Sequence, residues 1–157
     1  MDGSKAWVSP TALCCNMVIV LAMLGSGCTE SGPDSTDQKS AAFATLPERV
    51  EFLERYVKFR RSYTTLDYHI QFYNNSGGLV PGPSDWDLRV IAKIPKKELS
   101  LWTTGLEVVD RPSDLKWTGS VPTEQDLSGV DRWYQSGHIV VGIDREQRIV
   151  VYRNWTE

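Results

Sequence analysis

Beyond position 28 the chain has no cysteine: its three stand at Cys14, Cys15 and Cys28. That absence removes disulfide staples, thiolate metal sites and a thiol nucleophile from everything downstream. Histidine is nearly as scarce, with only His69 and His138. No H-x-x-x-H spacing puts two imidazoles on one helix face, so neither a metal site nor another cofactor is expected. There is no run of basic residues either. The 17 Lys and Arg are interspersed with 20 Asp and Glu for a net charge of -3, which lacks the clustered positive footprint of a nucleic-acid binder. Nucleic acid is not an expected partner. A G-x-S-x-G elbow is missing, and Gly77-Gly78 has neither the Lys nor the helix that a phosphate-cradling loop uses.

What is present begins with an apolar start. Val18 to Thr29 reads V-I-V-L-A-M-L-G-S-G-C-T. A short charged beginning with Lys5 and Asp2, an apolar segment and a small-residue stretch make the three-part layout of a signal peptide, with the cut before Cys28. Leu24, Gly25, Ser26 and Gly27 ahead of Cys28 resemble the lipobox of bacterial lipoprotein precursors, with Gly25 where that family most often has Leu. The resemblance implies loss of residues 1–27, acylation of Cys28 as the new N-terminus and the lipid bilayer as a partner. In such precursors an Asp directly after the Cys favours the inner membrane. Thr29 stands there, so the expected place is the outer membrane, facing the periplasm. Three further readings stay open: an uncleaved membrane anchor, ordinary secretion and a soluble cytoplasmic protein. The 19 residues from Ala6 to Leu24 are interrupted by Ser9, Pro10, Thr11 and Asn16, where a span wants ~20 predominantly apolar residues.

Removal of the first 27 residues leaves 130, the size of one domain. Five of six Trp, all six Tyr and all four Phe lie in that part, enough large apolar surface for a core without staples. Residues 28–44 are polar with Gly and Pro and no period, the composition of a disordered tether. Residues 45–157 are then a single α+β domain. Thr45-Leu46-Pro47-Glu48 is a capping box with Pro in the first turn, and Val50, Leu53 and Val57 continue at helical spacing, predicting a long helix to about Arg61.

Leu66, Tyr68, Ile70 and Phe72 alternate with Asp67, His69, Gln71 and Tyr73, the period of a strand with one face on the helix and one in water. Trp86 to Ile94 alternates likewise. Pro95 to Thr104 predicts a short helix, and Glu107 to Gly129, punctuated by Gly and Pro, reads mostly as loop. His138–Ile143 and Ile149–Trp155 predict a hairpin. The expected fold is a long N-terminal helix on a four-stranded antiparallel sheet, a two-layer sandwich. Cystatin-like folds share this order, but no residue motif ties the chain to them.

The expected function is a non-catalytic binding or inhibitory module for a protein or glycan in the envelope. Asn74 to Ser84 makes an 11-residue connection, longer than a hairpin demands, and long loops in small domains are often functional. Asn74, Asn75, Leu79, Asp85 and Trp86 are the candidate partner-binding residues, Trp86 being either an interface anchor or a core side chain. The alternative is a carbohydrate-active enzyme using Asp85 and Asp87, two carboxylates about 7 Å apart on one strand face. Asn74-Asn75-Ser76 and Asn154-Trp155-Thr156 also fit the N-glycosylation acceptor pattern.

Overall fold

The computed structural model describes residues 35–75 and 82–156. The expected signal segment 1–27, Cys28 and Leu79 lie outside the described residues. The alternating stretches form β2 (Thr65–Tyr73) and β3 (Asp85–Lys93), antiparallel from Thr65↔Lys93 to Tyr73↔Asp85. β6 (Ile139–Asp144) and β7 (Ile149–Trp155) form the expected hairpin, and β7 lies against β3 from Asp87↔Trp155 to Lys93↔Ile149.

Three further strands correct the expectation of four. β1 (Thr36–Lys39) pairs with β2 at one edge; β5 (Arg132–Ser136) joins β6, and β4 (Glu107–Val109) closes the other edge. The sheet is seven-stranded and antiparallel, in the order β1-β2-β3-β7-β6-β5-β4. The additional strands escape the alternation rule because they are short or polar. Thr-Asp-Gln-Lys in β1 has no apolar residue, and its place comes from ladder bonds and from Asp37, which accepts from His69 and Gln71. This strand also falls inside the stretch that composition reads as tether.

The only α-helix among the described residues, α1 (Leu46–Tyr56), starts where the capping box places it: the Thr45 N–H donates to Glu48 and the Glu48 N–H to Thr45 Oγ1. It stops five residues short of Arg61, a second correction. Val57 is extended at φ -143° and Arg60 is left-handed at φ 51°. The chain leaves the helix so that Phe59 can pack 4.8 Å from Trp102 and 5.0 Å from Tyr152, ring centre to ring centre. Aromatic packing of this kind outweighs a weak helical propensity. Lys96–Trp102 forms a 3-10 helix within the region expected to be a short helix.

Both faces of the sheet are covered. On the α1 side Leu53, Tyr68, Val90, Ile94, Trp102 and Val150 form a continuous buried cluster. On the other side Trp117 and Val121, carried by the segment between β4 and β5, close over Ile91, Val151 and Trp133. Gly142 on β6 admits this packing, because a Cβ there would meet Trp133 at 2.8 Å and Val130 at 2.7 Å. The outer face of β2 is therefore shielded from water at Asp67 and His69, which are 8% and 7% exposed, and opens toward Tyr73 at its end. They tolerate burial because each is paired, Asp67 with Arg49 at 2.6 Å and His69 with Asp37 at 2.7 Å.

Candidate functional site

Alternation along β2 and β3 sends the predicted residues at one end of the sheet to opposite faces. Asp85 and Asp87 share the face covered by Trp117, whereas Trp86 shares the α1 face with Leu88. Beneath Trp86 is a cleft of about 260 Å³. Tyr56 and Val57 at the end of α1, Ile70 and Phe72 on β2, Leu88 on β3 and Asn154 on β7 line it with Trp86. Trp86 is 39% exposed, so it caps the cleft and is not a core side chain. Tyr56 and Phe72 meet edge to face at 5.6 Å and form one wall. The polar side-chain groups in the lining are the Tyr56 hydroxyl, the Trp86 indole N–H and the Asn154 amide against four apolar side chains, so the cleft suits an apolar group better than a polyhydroxylated one.

The other predicted residues fasten this end of the sheet. The Asn75 side chain donates to the Pro83 carbonyl at 2.9 Å and to Asp85 at 3.1 Å, bridging the two ends of the connection. The Asn74 N–H donates to Ser35 Oγ at 2.8 Å. Thr156, which the sequence marks only as the end of an acceptor pattern, holds Trp86 in place: its Oγ1 accepts from the Trp86 N–H and its own N–H donates to the Trp86 carbonyl, both at 2.9 Å.

On the opposite face a charged array runs across four strands. Arg89 donates to Asp87 at 2.6 Å, to Gln71 at 3.1 Å and to Ser120 at 2.8 Å. Arg153 holds the same Asp87 carboxylate through two bonds, at 2.8 and 3.1 Å, and its guanidinium lies 4.6 Å from the Trp155 ring centre. Burial pushes the Asp87 carboxyl upward, but the bonds from Arg153 and Arg89 outweigh it and hold the group below the usual carboxylate range. His69 is fixed between Asp37 on Nε2 and the Arg89 guanidinium 3.2 Å from Nδ1. A guanidinium only donates, so Nδ1 must accept and the proton sits on Nε2, facing Asp37. Both ring nitrogens are engaged.

The array resembles a catalytic cluster in composition and differs in connectivity. Asp87 has no proton to give near neutral pH, and His69 has no free nitrogen to take one. Asp85 stays exposed, bound to Asn75. Among the described residues no three of His, Cys, Asp and Glu converge as a metal site, and no helix is long and apolar enough to cross a membrane. Arg89, Arg153 and Asp37 were not singled out from sequence; only the registers that put His69 opposite Lys39 and Arg89, and Arg89 opposite Arg153, bring them together.

No protein-family model, curated protein or solved structure matches the chain.

Proposed function

We propose that the protein is an envelope lipoprotein, anchored through acylated Cys28 in the outer membrane and facing the periplasm, whose folded part binds a partner and catalyses nothing. The observation that carries the binding role is the cleft beneath Trp86, an apolar hollow capped by a half-exposed indole. Aromatic anchors of this kind supply much of the free energy of an interface. The enclosed carboxylate of Asp87 and the doubly bonded His69 support the non-catalytic part, and weigh against a hydrolase built on Asp85 and Asp87. The lining favours an apolar group on the partner over a glycan.

Two measurements test this reading. Intact mass of the detergent-extracted protein is expected to correspond to a chain starting at Cys28 plus its acyl groups, and Cys28→Ala should abolish that species completely. An acylated Cys28→Ala product would sink the anchor. Titration of the full chain with a hydrophobic fluorescent probe such as bis-ANS should show Trp86→Ala weakening binding by about tenfold or more, the scale of an aromatic hot spot. Leu101→Ala, at an exposed aliphatic residue on the 3-10 helix Lys96–Trp102, should leave binding unchanged. Equal loss in both variants would remove the cleft as the binding site.

A further inference from the structure

We propose that the end of the sheet carrying Tyr73 and Trp86 is the membrane-facing end of the protein, with both rings seated at the boundary between headgroups and acyl chains of the bilayer that holds Cys28. The proposal rests on the lipid-anchor reading above and names the occupant of the same aromatic end.

The first argument is where the anchor's covalent reach begins. Ser35 accepts from the Asn74 N–H, and β1 enters the sheet with Thr36 opposite Phe72, one strand from Trp86. Seven peptide units separate Cys28 from Ser35, which at ~3.6 Å each span at most about 25 Å. An acylated Cys28 thus keeps Ser35 within about 25 Å of the anchor's attachment point. The far end, where β2 starts, is a nine-residue strand away, roughly 30 Å.

The second argument is what each end displays. Tyr73 is 52% and Trp86 39% exposed; at this end of the β2–β3 pair Tyr73 stands opposite Asp85 and Trp86 opposite Phe72, so the two rings leave opposite faces of the same sheet end. Tyr and Trp prefer membrane interfaces because an apolar ring is joined to a polar group that stays hydrated. At the far end the β6–β7 hairpin shows Arg145, Glu146, Gln147 and Arg148, all exposed and polar. Charge does not drive the contact. Asp87 is neutralised by Arg89 and Arg153, and Asp85 is an exposed carboxylate that an anionic surface would repel. Apolar burial remains, so a zwitterionic surface should suffice and salt should have little effect.

The test uses the full chain, purified in its mature form. Because Cys14 and Cys15 leave with the signal segment and Cys28 is acylated in that form, a fluorophore on Tyr73→Cys or on Glu146→Cys has no competing thiol. Each is reconstituted into phosphatidylcholine vesicles with brominated acyl chains, which quench at short range. Quenching at position 73 is expected to exceed that at 146 by about threefold or more for rings seated ~5 to 10 Å into the interface. It should persist in high salt and fall in a Trp86→Ser background. Trp86→Cys provides a second near-end label should Tyr73→Cys fail to fold. Vesicles that float with the protein while both ends are quenched equally would overturn the proposal, leave the anchor standing and return the aromatic end to a protein partner. A chain that lacks the acyl mass and does not float would overturn the anchor and the proposal together.

Discussion

Replacing Trp117 with alanine is expected to lower the free energy of unfolding by ~3 to 5 kcal/mol, the range for truncating a buried indole in a core. Trp117 is 8% exposed and joins Val121, Val130 and Trp133 over Ile91, Ile149 and Val151. The same turn carries Ser120, which accepts from Arg89 and donates to the Trp117 carbonyl. Loss of the indole should therefore loosen the whole 110–131 segment as well as open a cavity. Denaturant titration would give the loss in stability, and amide exchange should rise in that segment more than in α1. A change below about 1 kcal/mol, the surface-substitution range, would mean that the second face is solvated after all.

Asp87→Ala should cost roughly 3 kcal/mol, the low end for breaking a buried ion pair, because about a fifth of the carboxylate side chain still meets water. Two guanidiniums, Arg89 and Arg153, face each other directly across β3 and β7, and without Asp87 nothing between them offsets their repulsion. Adding Arg153→Met should recover part of the loss, so the two substitutions should be non-additive. The pH dependence has a definite sign. In the folded state Asp87 sits below its ordinary value of about 3.9. Its contribution is therefore complete above that pH and disappears as pH falls through the lower folded value. The wild-type protein should lose stability steeply below about pH 4, and Asp87→Ala should lose less over the same interval. Parallel curves for the two proteins would show that the carboxylate is not held by the two arginines. The exposed acids Asp37, Glu48 and Asp126 and the half-exposed Glu98 are also held low by hydrogen bonds, but solvent screens them and they should add little.

Legibility followed the strength of local signals. The Thr45 capping box and the alternations of β2, β3, β6 and β7 needed no partner to be recognised, and the four strands they predict are the contiguous centre of the sheet. The misses have a common cause. β1, β4 and β5 are short segments whose pairing energy comes from neighbours distant in sequence, and the extent of α1 was decided by where Phe59 packs. Tertiary contacts override propensity in such places.

At the site, the sequence by itself singled out Asn74, Asn75, Leu79, Asp85 and Trp86 through turn chemistry and an overlong connection, and it set the charge balance and the absence of cysteine beyond Cys28. Which face each side chain takes, and what it meets there, only the tertiary structure decided. Alternation puts Trp86 and Asp87 on opposite faces, but the cleft under Trp86 exists because α1 ends at Tyr56 and β7 brings Asn154 alongside. Asp87 is a clamped carboxylate because β7 crosses beside β3 and sets Arg153 opposite Arg89. A strand's period is written in its own residues; its neighbour is chosen by burial summed over the whole chain.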